Sequence, residues 1–376
     1  MKVKIKQPEI NKSARCGALN KEIKPEQTYT AVVGLDVGDR KTCYCVLDSD
    51  GDVATEGTVS TKAHSMRLQF EGKPRMRIAL EAGTHSAWLS RLFTELGHEV
   101  IVANARSLRM ISESDSKNDK ADARMLARLA PVGIDLLCPI EHRSEAVQND
   151  LRILRAREVA MTARTKLINA VRGFVKHTGE RLPSSSTGTF ARKAEESCPE
   201  QLRVALLPLI RLIERLTEEI KLYDKIILAK AEKDYPATKV IRTIPGVGPL
   251  TALGVVLVMN NDPHKFRKSR DVGCFFGFRP QQKESGERSP QLGITKAGDR
   301  IMRRIVVQSA QYMLGPFGKD CALRRWGLAI ALRGGSSAKK RAVIAVARKL
   351  VILMHRLWTT QEPFDATRGL THVAVA

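Results

Sequence analysis

The spacing of apolar residues changes once along this chain, and that change constrains the fold more than any other feature. Between residues 31 and 103 the apolar residues come in short runs, such as Ala31–Gly38 and Glu99–Ala103, which predict buried β-strands. From about residue 145 they recur instead with helical spacing over long stretches. The chain therefore combines an α/β domain with a mainly helical part, an α/β plus α architecture.

The first part of the chain predicts five strands. They are expected over Ala31–Gly38, Thr42–Asp48, Val53–Val59, Arg77–Glu81 and Glu99–Ala103. Helices are expected from Ser86 to Leu96 and from about Asp119 to Leu129. A three-stranded meander followed by helix-linked strands is the order of a ribonuclease-H-like domain, although actin-like sugar kinases open in the same way.

Two long helices follow. In the first, apolar pairs recur every seven residues at Ile153/Leu154, Ala160/Met161, Leu167/Ile168 and Phe174/Val175. In the second, a heptad seam consists of Leu209, Ile213, Leu216, Ile220, Tyr223 and Ile227. The pattern predicts a coiled-coil region in which the helices form an antiparallel pair or zip to another subunit. Arginines occupy much of the remaining surface of the first helix.

These patterns divide the chain into five segments. They are a flexible basic arm (1–29), the α/β domain (30–140), the long-helix region (141–237), a mainly helical C-terminal domain (238–358) and a tail (359–376).

The charge of the chain points to a polyanionic partner. Its 63 Lys and Arg against 40 Asp and Glu leave a net charge of +23, which favours nucleic acid because each neutralised phosphate releases counterions. Aromatic residues make up only 5%, so contact with the backbone is expected rather than stacking of single-stranded bases.

The cysteines and the apolar runs indicate the compartment. Seven scattered cysteines without a CxxC pair predict neither a disulfide framework nor a structural zinc, as in a reducing compartment. The longest apolar run, near Thr251 to Met259, is too short to span a bilayer. We therefore expect a cytoplasmic protein without a membrane partner.

Four carboxylates predict a metal site. Asp36 lies inside the first strand, where a charge is costly without a cation, and Glu81 ends the fourth. Asp119 and Asp122 share one face at the start of a helix. Oxygen ligands of this kind suit Mg²⁺ or Mn²⁺, and two such ions stabilise the attacking and leaving oxygens of a phosphodiester.

Simpler explanations exist for each of these groups. Glu81 can cap the turn that follows it, and Asp119 and Asp122 can be ordinary acids at a helix N-terminus. The segment Gly34–Gly38 also resembles the phosphate loop of an actin-like ATPase. That alternative needs further glycine-rich loops downstream, and the sequence does not contain them.

The C-terminal domain contains candidate DNA contacts. Gly246 and Gly248, in Ile-Pro-Gly-Val-Gly before an apolar helix, predict a helix-hairpin-helix element whose backbone N–H groups hold a phosphate; a simple helix start is the alternative. Four basic residues further on are candidates as well: Lys296, Arg300, Arg303 and Arg304. Ser285 lies in a polar loop beside a glycine, where a serine is usually a turn former.

Taken in order, these elements resemble the DEDD transposases of the insertion-sequence one-ten family. The resemblance is carried by the four acidic residues, the long helices, the Pro-Gly-Val-Gly segment and the Ser-Gly followed by Ile-Thr-Lys-Ala-Gly-Asp-Arg, from about Val32 to Leu314. It implies a RuvC-like acidic domain with Asp36, Glu81, Asp119 and Asp122 as catalytic metal ligands. It also implies that Ser285 is a nucleophile that becomes joined to DNA.

The resemblance further implies an element-encoded guide RNA that pairs with donor and target DNA. Assembly into a homo-oligomer, a dimer or tetramer, would bring one subunit's acidic domain to another's serine. Two departures concern the C-terminal domain. Phe278 stands where leucine is commoner, and Ser289 would be the nucleophile if the register differs.

Two other functions fit the same residues. One is a RuvC-type, metal-dependent structure-specific endonuclease in which water attacks the phosphodiester and the serine is structural. The other is a non-catalytic DNA-bridging protein whose acidic cluster balances charge.

Overall fold

The computed structural model describes residues 29–105, 118–132, 134–282, 292–335 and 337–367. The chain divides into two compact units, Met1–His142 and Arg143–Ala376. The basic arm predicted over residues 1–29 lies almost entirely outside the described residues, as does the end of the tail. The further subdivision of the second unit near residue 237 stays a prediction.

The first unit is built on a mixed five-stranded sheet with the order β3-β2-β1-β4-β5. Its strands are β1 (Val32–Val37), β2 (Lys41–Leu47), β3 (Val53–Ser60), β4 (Arg77–Glu81) and β5 (Glu99–Ala103). β1 pairs antiparallel with β2 and parallel with β4, while β2 pairs antiparallel with β3 and β4 parallel with β5. The five predicted strands are present, and the order is compatible with a ribonuclease-H-like domain.

Helices cover both faces of this sheet. One face packs against α1 (Ala63–Phe70) and α2 (Ser86–Glu95) through a core that includes Leu35, Leu80 and Phe93. α1 was not expected from the sequence, because its apolar residues are few and weakly periodic. The other face packs against α3 (Asp119–Val132) and α4 (Ile134–Leu137). Buried apolar residues on successive strand positions therefore alternate between two separate cores.

The helix α3 approaches the sheet unusually closely. A Cβ atom at Gly34 would overlap the carbonyl oxygen of Ala123 and the amide nitrogen of Ala127. Ala123, Ala127 and Ala130 are themselves buried and small. Small residues on both sides thus let the helix backbone rest directly on β1, which fixes the position of the start of α3 along the strand.

Two long helices open the second unit, α5 (Glu145–Lys176) and α7 (Arg203–Lys233), with the short α6 (Phe190–Glu196) between them. Residues near the start of α5 share a core with residues near the end of α7, and the end of α5 packs on the start of α7. The helices therefore form an antiparallel hairpin within one chain, which is the first of the two alternatives left open by the sequence.

The contact face of this hairpin differs from the predicted seam. Ile213, Ile220 and Ile227 are buried as predicted, but Thr217 is buried in place of the partly exposed Leu216. Opposite them, Arg157 donates to Asp224 at 2.6 Å, and Arg164 donates to Thr217 at 3.4 Å. Because their long stems pack between the helices, these arginines lie inside the hairpin and not on its surface.

The remaining helices surround a second, larger core. They are α8 (Ala237–Ile241), α9 (Pro249–Val258), α10 (Ser269–Phe275), α11 (Arg300–Leu314), α12 (Ala322–Leu332) and α13 (Ala338–Thr360). α9 lies at the centre of this core, with every residue from Thr251 to Val258 buried. Phe278 is also fully buried there, as expected for a packing residue. No helix in the described part of the chain is long and apolar enough to cross a membrane.

Candidate functional site

Asp36 and Glu81 lie on the same face of the sheet, at the carboxyl ends of neighbouring strands. β1 and β4 are parallel, and Leu35 is the register partner of Leu80, so the next position on each strand carries a carboxylate. Both side chains share the face that bears Gly34 and Ala79, since side chains alternate along a strand. Both residues are half-buried.

α3 brings the other two carboxylates to the same face. Asp119 and Asp122 lie in its first turn, one turn before the contact between Ala123 and Gly34. The Ala130 carbonyl, late in α3, accepts from Arg77 at the start of β4, so the start of α3 lies toward the strand end that carries Asp36. All four predicted acidic residues therefore converge on one end of one face of the sheet.

The pKa of the Cys43 thiol is affected by this concentration of negative charge. Cys43 is the register partner of Asp36 across β1 and β2. Its pKa is raised first by burial and then by the charges of Asp119 and Asp36. One side chain thus lies close enough to interact with carboxylates of both the strand and the helix. Asp36 and Asp119 are more than eighty residues apart in the sequence.

An ion pair also connects α3 to the strand at the edge of the sheet. Arg124, in the second turn of α3, forms a two-pronged ion pair with Glu56 on β3, of which one contact measures 2.6 Å. The Cys45 thiol lies against the same carboxylate, and burial together with this contact raises the pKa of Cys45 to about 11. The pair therefore fixes the rotation of α3 from the side opposite β4.

The donor set suits a hard divalent cation. It contains carboxylate oxygens on rigid strands and a helix, and Mg²⁺ prefers such oxygens over nitrogen or sulfur. Within the described ranges, no three His, Cys, Asp or Glu side chains are grouped closely enough to form a complete metal-binding cluster. The fold thus supplies the donors on one face, and binding a cation requires their side chains to move closer together.

A further pair of polar residues borders this site and was not predicted. His85, four residues after Glu81, places Nε2 3.5 Å from the carboxylate of Asp39, which follows Asp36 by three residues. The indole N–H of Trp88 donates to His85 Nδ1 at 3.1 Å, which assigns the proton to Nε2. The only signal in the sequence was the position of both residues just after the strands that carry the carboxylates.

Ser285 and Ser289 lie outside the described residues, and the chain segments on either side of them pair with each other. Gln281 N–H donates to Gly293 O at 2.8 Å, and Thr295 N–H donates to Arg279 O at 2.8 Å. Pro280 and Ile294 form an antiparallel bridge between these two bonds. The two ends of the segment that contains both serines are therefore held side by side.

Two glycines allow this pairing. Gly277 and Gly298 have φ of +74° and +72°, and a Cβ at either would overlap the backbone of the opposing segment. Such positive φ values and such close backbone approach favour glycine.

The Pro-Gly-Val-Gly segment forms the turn that leads into α9. Gly246 has φ of +83°, with Tyr312 and the Ser309 carbonyl beside it. Gly248 is the N-cap of α9, and no side chain caps that helix start. A Cβ at Gly248 would have no neighbouring atom within 4 Å. The turn therefore leads directly into a helix whose first backbone N–H groups have no side-chain cap.

The four predicted basic residues divide into two pairs. Lys296 and Arg300 are exposed and follow closely after the serine segment, by which we mean residues 283–291 with Ser285 and Ser289. Arg303 instead donates to the carbonyls of Phe276 and Ala297, and Arg304 forms an ion pair with Glu158, whose side chain is only 9% exposed. Arg303 and Arg304 thus serve the packing of α11 directly, which leaves Lys296 and Arg300 as the better placed candidates for DNA contact.

Comparison with known proteins gives consistent matches over most of the chain. Residues 238–320 match the model of the transposase IS116/IS110/IS902 family, and residues 33–179 match a model of DEDD transposases of the IS110 type. A putative transposase, y4pF/y4sB, of Sinorhizobium fredii is 28% identical over 92% of this chain and 88% of its own length. The transposase for insertion sequence element IS1111A of Coxiella burnetii is 26% identical over 89% of this chain and 91% of its own length. The transposase for insertion sequence element IS1328 of Yersinia enterocolitica is 27% identical over 63% of this chain and 71% of its own length.

Proposed function

Because the chain belongs to the IS116/IS110/IS902 family of transposases and is a DNA transposase of an insertion sequence, we propose that it breaks and rejoins DNA strands by a serine-dependent, metal-assisted reaction. In this proposal, the four carboxylates of the first unit bind divalent ions and the hydroxyl of Ser285 is the nucleophile. Dependence on a divalent metal follows from the DEDD domain; that the metal is Mg²⁺ or Mn²⁺ is part of the proposal.

The observation that carries the proposal is the common face of Asp36 and Glu81. Carboxylates on opposite faces of the sheet would be unable to share an ion, whereas neighbours in parallel register are able to do so. Asp119 and Asp122 then complete the set from the helix that covers this face. When bound, divalent ions supply charge stabilisation for the attacking and leaving oxygens of a phosphodiester.

The role of the serine follows from ordinary phosphoryl-transfer chemistry. The Ser285 oxygen attacks the phosphorus, an oxygen–phosphorus bond forms, and the bridging P–O bond of the strand breaks. The serine loses its proton and the departing oxygen of the DNA strand gains one. Because one phosphodiester replaces another, the reverse attack by a strand end rejoins DNA without ATP.

Two exposed basic residues and the Pro-Gly-Val-Gly turn are proposed to bind the DNA. Lys296 and Arg300 lie near the base of the serine segment, and Gly246 and Gly248 act as a helix-hairpin-helix grip on a phosphate. The guide RNA implied by the family resemblance also belongs to the proposal.

Assembly into a homo-oligomer is proposed to use the tip of the α5–α7 hairpin. The coiled-coil-like contact face is already occupied within one chain, so a partner has to bind elsewhere. At the tip, Phe174 is 49% exposed and Val204 is 92% exposed. An apolar groove of about 400 Å³ between the helix ends is lined by Phe174, Leu206 and Leu209, among others. Apolar exposure of this kind is typical of an interface.

A denaturing gel tests the serine chemistry. Wild type, Ser285→Ala and Ser289→Ala are incubated with labelled DNA of the element end, the RNA transcribed beside the element, and Mg²⁺. The proposal expects protein-linked DNA with wild type and Ser289→Ala, and no such product with Ser285→Ala. An Asp36→Asn variant is expected to retain DNA binding and to form no linked product.

Other outcomes point to the two alternative functions. Free cleaved ends that survive Ser285→Ala indicate a RuvC-type endonuclease in which water attacks. An absence of cleavage by wild type, with DNA bound equally by wild type and Asp36→Asn, indicates a protein that bridges DNA without cutting it. Loss of the linked product in Ser289→Ala alone assigns the nucleophile to Ser289.

A further inference from the structure

The two C-terminal helices contain a stretch with many basic residues and no acidic ones. Residues 321–361 hold nine Lys or Arg and no Asp or Glu. The long helix Arg203–Lys233, by contrast, holds seven basic and five acidic residues. A basic stretch of this length without acidic residues is therefore not shared by every long helix of the chain.

Several of these basic side chains have structural partners. Arg324 donates to the carbonyl of Gly315 at 2.7 Å, and Arg325 pairs with Asp320 at 3.4 Å. The Lys349 ammonium lies 3.7 Å from the centre of the Trp326 ring, a cation–π contact between α12 and α13. These residues hold the two helices together and to their surroundings.

Four others are exposed at the turn between α12 and α13, and we call them the basic turn: Arg333, Lys339, Lys340 and Arg341. Across the described ranges, no carboxylate forms an ion pair with any of them. Gly334 and Gly335, with φ of +84° and +85°, form the turn, and Arg341 donates back to Gly334 O at 3.4 Å. Four positive charges thus lie close together in the sequence around this turn.

The three charges of the basic turn that lie on α13 do not stabilise that helix. Lys339, Lys340 and Arg341 lie in the first turn of α13, where the helix macrodipole disfavours positive charge and no acidic residue offsets it. On the opposite side of α13, Ala342 and Val346 are fully buried and Val346 belongs to the core, so the turn is kept at the surface. An external anion would therefore stabilise an arrangement that the fold alone disfavours.

We propose that the basic turn is a second contact surface for the sugar-phosphate backbone of double-stranded DNA. It lies outside residues 238–320, over which the C-terminal family model matches, and it is separate from Lys296 and Arg300. Charge complementarity to closely spaced phosphates favours this partner, and contact through lysine and arginine side chains alone carries no base specificity. The inference rests on DNA binding only and is independent of which group attacks the phosphodiester.

The test measures the salt dependence of DNA binding without cleavage. Full-length wild type and a variant with Arg333, Lys339, Lys340 and Arg341 each changed to Gln are titrated with a labelled duplex of arbitrary sequence, in EDTA, from low to moderate salt. If all four residues neutralise phosphates, the slope of log K against log salt concentration becomes shallower by about 3 to 4. Gln is a good helix former, so α13 is expected to remain folded, which circular dichroism and a melting curve check.

A matched control removes the same amount of charge elsewhere. It changes four exposed basic residues of α7 to Gln: Arg211, Lys221, Lys225 and Lys233. The proposal expects this control to keep the wild-type slope for duplex DNA. It is overturned by an unchanged slope in the basic-turn variant, by an equal change in the control, or by weakened binding to single-stranded RNA with unchanged binding to duplex DNA. A cleavage defect found in Ser285→Ala leaves these binding outcomes unaffected, so the two proposals fail independently.

Discussion

Gly34 on β1 lies directly beneath Ala123 of α3, so that a Cβ at residue 34 would overlap the Ala123 carbonyl oxygen. This contact sets the height of α3 on the sheet and, with it, the position of Asp119 and Asp122 relative to Asp36. The atoms that such a Cβ would meet, Ala123 O and Ala127 N, belong to the helix backbone, which has little freedom to move.

Gly34→Ala is therefore expected to displace α3 and to lower the free energy of unfolding of the first unit by about 3 kcal/mol. DNA cleavage should be lost even where the variant remains folded, because the helical carboxylates move away from the strand carboxylates. Urea denaturation and the cleavage gel measure the two effects. Gly83→Ala is the control for stability, since nothing lies within 4 Å of a Cβ at that position. Wild-type cleavage by Gly34→Ala would contradict the packing argument.

Removing one carboxylate charge from the site should abolish chemistry without abolishing DNA binding. Glu81→Gln retains the shape of the side chain but loses the charge, and we expect strand cleavage to fall by about 100-fold or more, as for other preorganised electrostatic contacts. Cleavage rates and binding in EDTA are to be measured together. Glu95→Gln removes an exposed carboxylate that pairs with Arg67 on the α1–α2 side of the sheet, and it should cleave like wild type. Equal rates for both variants would remove Glu81 from the proposed site.

Arg304 and Arg300, both on α11, should behave differently when changed to alanine. Arg304→Ala leaves the buried carboxylate of Glu158 without its cationic partner, and we expect a loss of about 2 to 4 kcal/mol of stability. Arg300→Ala should leave stability unchanged and make the salt slope of DNA binding shallower by about 1. Denaturation curves and salt titrations on both variants decide the matter. A stable Arg304→Ala variant with a shallower slope would return Arg304 to the DNA contacts.

The second unit should lose stability in mild acid through His355. This side chain is 1% exposed, and burial lowers its pKa below the ordinary value of 6.5 against the opposing effect of its bond to Pro263 O. Pro263 O accepts from Nε2 at 2.8 Å, so the neutral ring accepts the Ser269 hydroxyl at Nδ1 at 2.9 Å. The unfolded chain takes up a proton first as pH falls below about 6.5, so the free energy of unfolding decreases from there downward.

His355→Leu tests this origin of the acid sensitivity. The substitution should lower the free energy of unfolding by about 2 kcal/mol at pH 7.5, because two hydrogen bonds are lost. Below about pH 6.5 the free energy of unfolding should then decrease less steeply than in wild type. Denaturation midpoints at several pH values provide the measurement. His177→Gln, at an exposed position, is the control and should keep the wild-type decline. The same decline in His355→Leu would assign the effect to other groups.

The five strands and the two long helices could be predicted from the sequence, and so could the four carboxylates proposed as metal ligands. Short apolar runs specify strands, and strand positions such as Asp36 stand out because a charge there is costly. The heptad spacing of Ile213, Ile220 and Ile227 specified a helix that packs along one side. These features are local, so they can be deduced from neighbouring residues alone.

Which distant residues meet depends instead on the packing of the folded chain. The common face of Asp36 and Glu81 depends on strand register, and the approach of Asp119 depends on the absence of a side chain at Gly34. The engagement of Arg304 with Glu158, and of Arg157 with Asp224, likewise moved arginines from the expected surface into packed positions. An arginine has the same local pattern whether it faces solvent or a buried carboxylate, and only the packing of helices distant in sequence sets its partner.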